Sequence, residues 1–368
     1  MLSTPAVSPV ATRPRARLLG LAARVVIGLV WSLVFAELFV RAFSPTPMLP
    51  RHVGTTAFGI RGNLPRSSYW QRTRDVSVNI RINGKGIRAD REIPYAKPPG
   101  TKRIVTLGDS FMMGYEVDLK DTFLARMVDA LGASGVRCET VNLAVSGFGN
   151  AEELVMLRNE GFKYQPDLVL LAWHASDLDD NVRSNLFALV DGRLEPRNRE
   201  YLPGARIAEM LNRIPPYRWL DDNSQAYTLL RERLTLVVKA VMALRNPGTL
   251  APVRTAAAPG PAAPHSPGAR DLLSMAILRQ IQAECEAAGA GLLVLNVPDR
   301  APGYTFVSEF PWEAAHGLDV LDPLPELYRH AHEGLYREHG HGHFSPAGCR
   351  LLGHLLAERI RSEGLLGR

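Results

Sequence analysis

Four short, almost uninterrupted apolar runs leave this chain few ways to fold. Ile104–Leu107, Glu139–Val145, Leu168–Trp173 and Leu292–Val297 are too short for ordinary helices. They also lack the polar alternation of a strand with one wet face, so they predict parallel strands covered on both sides. Helical patterns near 122–133, 151–161 and 271–288 alternate with them. A final helix is expected from Ser345 as N-cap and Pro346 at its first position to about Ser362. Strand, helix, strand, helix is the grammar of an α/β domain.

The 368 residues, 46% apolar and 22% charged, suffice for one large domain with appendages. The net charge of +6 invites a nucleic-acid reading, but Arg13, Arg15, Arg17, Arg24 and Arg41 against Glu37 account for +4 of it, leaving +2 for everything after residue 43. No basic patch with interleaved aromatics remains, and nucleic acid is excluded as a partner. Residues 1–17 are instead a basic, proline-rich leader to an apolar stretch, 18–43, long enough to cross a bilayer. The arginines place the leader in the cytoplasm and the main domain outside, on a single-pass anchor. A cleaved signal peptide is the competing reading, because Val40-Arg41-Ala42 loosely fits a cleavage site. Cys138, Cys285 and Cys349 are odd in number and widely spaced, so they read as buried small apolar residues and not as a disulfide or zinc framework.

Residues 44–100 form a proline-spotted lead-in with one half-buried strand, marked by Val76, Val78, Ile80 and Ile82, and end in the linker Lys97–Thr101. The main domain runs from 101 to 362 and is interrupted between 180 and 270. Within that insertion, 180–245 carries aromatics and a helical pattern near 225–244, and is read either as a lid over the site or as a peripheral elaboration. Asn246–Gly268 is an Ala/Pro/Gly tract expected to be disordered.

The chemistry-bearing residues follow the strands. Gly108-Asp109-Ser110 comes after the first, Gly147 and Gly149 after the second, and His174, Ser176 and Asp177 after the third. His339, His341, His343 and Ser345 precede the last helix. In a parallel sheet these positions share the carboxyl edge, where ligands bind. The alternating histidines raise a metal site, but the glycines flanking His341 and the lack of a carboxylate cluster argue against it; no metal or organic cofactor is predicted.

In these motifs the chain resembles the SGNH (GDSL-like) hydrolase superfamily, in particular its membrane-anchored bacterial members. Gly108-Asp109-Ser110 is similar to the first block, Gly147 to the second-block glycine, Ser176-Asp177 to the third, and His343-Phe344-Ser345-Pro346 to the fifth. The resemblance implies a three-layer α/β/α sandwich with flavodoxin-like strand order, preceded here by the transmembrane helix and the β lead-in. It implies catalysis by Ser110 and His343, with the N–H groups of Ser110 and Gly147 in the oxyanion hole. Ser176 stands where the family has an asparagine donor. The usual acid, two or three residues before the base, is replaced by His341 and Gly340, which leaves Glu338 or His341, or Asp319 and Asp322, to orient the ring.

The function implied is that of an exported, membrane-anchored serine esterase or deacetylase acting on O-acyl groups of envelope or exported polysaccharide. An O-acetyltransferase would use the same residues. The alternative is a catalytically degenerate carbohydrate-binding or assembly subunit.

Overall fold

The computed structural model describes residues 14–245, 267–303 and 305–367. Most of the leader, and the Ala/Pro/Gly tract up to residue 266, lie outside the described residues.

A long helix, α1 (Pro14–Phe43), leads into two small antiparallel ribbons. These pair β1 (Val53–Thr55) with β2 (Arg61–Asn63) and β3 (Ser68–Arg72) with β4 (Ser77–Arg81). The last of these is the strand expected from the alternation at 76–82; its partner, β3, is not signalled by alternation.

The main sheet then begins with β5 (Lys102–Leu107), followed by α2 (Ser110–Met113), α3 (Phe123–Ala133), β6 (Cys138–Asn142), α4 (Asn150–Asn159), β7 (Leu168–His174) and α5 (Ser176–Ser184). The insertion holds the hairpin β8 (Phe187–Val190) and β9 (Arg193–Pro196), then α6 (Ala205–Asn212), α7 (Pro215–Asn223) and α8 (Gln225–Arg245). The chain returns through α9 (Ala269–Ala287), β10 (Gly291–Val297), the ribbon β11 (Asp299–Ala301) and β12 (Thr305–Val307), β13 (Val320–Leu321), α10 (Leu324–Arg329) and α11 (Pro346–Ser362).

Five strands form one wholly parallel sheet in the order β6-β5-β7-β10-β13. Numbered along the chain this is 2-1-3-4-5, the flavodoxin-like order. The two-residue strand β13 is the member that four apolar runs do not announce.

Side-chain parity explains the three layers. Ile104, Leu168, Leu170, Leu293 and Leu295 face a core with Leu124 and Met127 of α3 and Leu352 and Leu356 of α11. Their neighbours Val105, Leu107, Val169, Leu171 and Val294 face the opposite core, with Leu154 of α4 and Ile277 and Ile281 of α9. All are buried, and each such side chain is worth about 1.5–3 kcal/mol relative to exposure. Cys285 and Cys349 are buried in these two cores, and all three cysteines are free.

The lead-in packs into both cores. Tyr69, Val78, Ile80 and Ile82 join Met113, Tyr115 and Val117 on one side, while Ile60, Ile87 and Ile93 join the other. The insertion comes near the cleft at Ser110 through Glu232 of α8, whose charge acts on His341. It packs on the lead-in, where Glu209 accepts from Thr55, and on α1, whose Glu37 accepts from Ser224 Oγ at 2.7 Å and from the N–H groups of Gln225 and Ala226 at 3.0 Å. Among the described residues, none from 180–245 is part of the lining of the cleft at Ser110.

Candidate active site

Ser110 is presented by the tight exit of β5. Gly108 lies so close to Met112 and Ala172 that a Cβ there would stand 2.6 Å from Met112 Cβ, so only glycine lets the strand turn directly into a helix. Asp109 then caps that helix, its Oδ1 accepting from Phe111 N at 2.8 Å. The helix starts at Ser110 itself, thirteen residues before α3, and it is short because Gly114 leaves it in left-handed geometry. Asn142, at the end of the neighbouring strand, ties its far end by donating to Met112 O at 2.9 Å.

His343 arrives on the segment before α11, with Ser345 capping the helix through Ala347 N and Gly348 N. Its ring is buried against Phe111 and Tyr115, at centroid distances of 5.0 and 5.5 Å. His343 Nε2 lies 2.9 Å from Ser110 Oγ, and Nδ1 lies 2.7 Å from Glu116 Oε2. A carboxylate only accepts, so Nδ1–H donates to Glu116 and Nε2 is left to accept the serine proton. Burial works to raise the Glu116 carboxyl, but the hydrogen bond and charge of His343, with the His341 N–H, hold it below its ordinary value.

Glu116 is the residue that the motif reading did not supply. It is wholly buried, and its backbone sits in the left-handed region at φ 62°. For a residue other than glycine that geometry costs on the order of 1 kcal/mol and persists only when the surroundings impose it. Here they do: Glu116 N donates to Gln71 Oε1 at 3.0 Å, and Arg88 donates to the carbonyls of Met113 at 2.9 Å, Val117 at 2.6 Å and also Gly114. Both side chains come from the lead-in. Burial lowers the Arg88 guanidinium to about 10, against the pull of nearby tyrosines and Asp118.

The expected orienters lie elsewhere. Glu338 is exposed, 3.9 Å from Arg300, and Asp319 pairs with Arg359. Asp322 accepts from Asn296 and Leu324 N. His341 lines the cleft, and its N–H donates to Glu116 Oε2 at 3.2 Å. The reason is visible at Gly340: a Cβ there would collide with the Glu116 carboxylate, so an acid at that position and Glu116 exclude one another. The sequence signal was a pair, a missing side chain at 340 and a spare acid six residues after the serine. His339 does not converge with the other two histidines, since its Nδ1 pairs with Asp75 at 2.7 Å.

A cleft of about 180 Å³ opens over the serine, lined by Ser110, Ser176, His174 and His343 together with Asp109, Asp299 and Arg51. Ser176 Oγ is 2.9 Å from His174 Nδ1, and His174 Nε2 is 3.0 Å from Asp299 Oδ1. Burial penalises the charged His174 ring, yet the Asp299 hydrogen bond and the charges of Asp109 and Asp177 raise it to about 9. Asp177 itself lies beneath, fully buried, accepting from His174 N and from Asn150 Nδ2; burial pushes its carboxyl up. Gly147 does not line the cleft; it stands in the turn before α4, where Arg61 holds its carbonyl.

Searches against protein-family models and against curated proteins gave no match. Among solved structures the chain is similar to a lipase/acylhydrolase from Enterococcus faecalis, at 15% identity over 71% of this chain and 96% of that one, with a TM-score of 0.38. It is similar also to an acetyl xylan esterase, at 9% identity over 70% and 99%, TM-score 0.38. A third is a GDSL-like lipase from Bacteroides thetaiotaomicron, at 9% identity over 71% and 89%, TM-score 0.32. Likeness at this level leaves the chemistry to the chain's own side chains.

Proposed function

We propose that the chain is a serine ester hydrolase working through Ser110, His343 and Glu116. The observation that carries this reading is the unbroken relay of 2.9 and 2.7 Å from hydroxyl to imidazole to buried carboxylate. Ser110 attacks the acyl carbon while His343 Nε2 takes its proton, and Glu116 stabilises the imidazolium that forms. The same proton then goes to the leaving alcohol, and a water activated by His343 hydrolyses the acyl-enzyme. The oxyanion is assigned to the N–H group of Ser110 and to the hydroxyl of Ser176, both on the cleft, and not to Gly147, which stands outside it. Raised to about 9, His174 brings a positive charge to that same cleft at neutral pH. Removing one oxyanion donor costs roughly 3–4 kcal/mol elsewhere, so a serine with a cation behind it is a workable replacement for an amide.

The cleft is small and polar, which suits a short acyl group on a hydroxyl-rich alcohol such as an O-acylated carbohydrate of the envelope. α1 carries a 26-residue apolar span, Leu18–Phe43, with mean hydropathy 2.2 over an 18-residue window. Its Glu37 caps α8 of the folded body, a contact that favours retention of the helix as an anchor over its removal as a signal peptide. The domain is placed outside the membrane because the arginines precede the span.

A fluorophosphonate probe tests the enzyme reading. The wild type is expected to be labelled and Ser110→Ala not. Folded wild-type protein that resists the probe would establish the degenerate alternative.

A further inference from the structure

A second cleft, larger than the catalytic one at about 430 Å³, opens where α1 meets the body. Its lining includes Arg41, Arg72 and Arg74 and contains no acidic residue. The neutral part of the lining sets the hydroxyls and amides of Thr46, Thr73, Asn223 and Gln225 beside Pro45, Pro47 and Met48.

The three arginines are held differently. Arg41 Nε pairs with Glu37 at 2.6 Å, and its Nη2 donates to Asn223 O at 2.7 Å. Arg72 Nη1 donates to Asp222 O at 2.9 Å and to Asn223 Oδ1 at 3.3 Å, with the guanidinium 5.7 Å above the Trp70 ring. Arg74 is exposed and has no acidic partner among the described residues. Two guanidinium groups are therefore oriented in advance and the third is uncommitted. Arginine in this state suits bidentate recognition of phosphate oxygens.

Depth decides which phosphate is within reach. About 20 helical residues cross a hydrocarbon core of ~30 Å, so a span that starts at Leu18 leaves the core near Glu37. Arg41 lies one turn further out, at the level of the headgroups. The exposed surface beside it is apolar in the same way: Trp219 on α7 is 65% exposed, and Leu230, Leu234 and Val237 of α8 are each more than half exposed at the spacing of a single helix face. An interfacial tryptophan and such a face, pinned by Glu37 to the outer end of α1, suit contact with lipid.

We propose that the Arg41–Arg72–Arg74 cleft binds the phosphodiester of an anionic phospholipid in the outer leaflet, seating the body on the membrane. The inference rests on α1 being a retained anchor.

The test is native mass spectrometry of the full-length protein in detergent, with phosphatidylglycerol or phosphatidylcholine added and inorganic phosphate as competitor. Phosphatidylglycerol is expected to be retained at least tenfold better than phosphatidylcholine. Arg74→Gln should lower that preference, and Arg72→Gln/Arg74→Gln should abolish it. Turnover of a soluble ester should not change in either variant, which shows that they are folded. Equal retention of the two lipids, or a preference untouched by the variants, would overturn the site. Displacement of the lipid by millimolar inorganic phosphate, with phosphate then bound in its place, would overturn the lipid as source and leave a soluble-anion site. Alkaline carbonate extraction of cells separates the two readings. A chain released from the membrane overturns the anchor, whereas one that stays but shows no headgroup preference overturns the cleft alone.

Discussion

The two segments that meet at His343 are built in opposite ways. Gly114–Val117 is buried, its Gly114 and Val117 carbonyls accept from Arg88 and its Glu116 carbonyl from Arg337, and it carries Glu116 in a backbone conformation that costs energy. Residues 338–342 are the reverse: Glu338 and His339 are exposed, glycines stand at 340 and 342, and the segment is held by Asp75, which accepts from Glu338 N and His339 N. The acid that must hold the imidazole in one tautomer belongs to the first segment. Orientation needs a group whose own position is fixed, and a buried, cross-linked loop provides that where a glycine-rich one does not. The lead-in supplies Gln71, Asp75 and Arg88 to these contacts, so it is part of the site's frame.

This contrast can be broken at several points. Gly340→Ala puts a methyl group into the Glu116 carboxylate and should separate it from His343, lowering kcat/KM on a soluble ester by about a thousandfold while the protein stays folded. Arg88→Met leaves three buried carbonyls without their donor and should cost about 3 kcal/mol in urea unfolding, with a lower midpoint and little change in slope. The depressed Glu116 carboxyl contributes stability that is fully present above its unfolded value of 4.5 and is lost as the pH falls through its lower folded value. Glu116→Gln should therefore flatten the acid limb of a stability–pH curve. At the small end, Glu338→Gln should alter turnover by less than about twofold, because its carboxylate touches only Arg300 at 3.9 Å.

The sheet was legible because near-continuous apolar strands and helical periodicity carry strong signals; β13 was not, since two residues carry none. The serine and histidine were legible because each stands at a strand or helix terminus with its own local grammar, Gly108 before one and Ser345-Pro346 after the other. Glu116 was not, because its role depends on contacts from Gln71 and His343, 45 and 227 residues away. Ser176 was expected to face the cleft and does. Its link through His174 to Asp299 is again a distant pairing, spanning 125 residues. The insertion has an equal claim to be a lid or an appendage by composition, and its hydrogen bonds to the lead-in and to α1 are again distant pairings.

The most direct trial of the account is kcat/KM of Glu116→Gln on a soluble ester, beside Glu338→Gln and the wild type. The account predicts a fall of about ten-thousandfold for Glu116→Gln, the size of effect seen when a triad carboxylate becomes an amide, with Glu338→Gln near the wild type. Wild-type turnover in folded Glu116→Gln would contradict it.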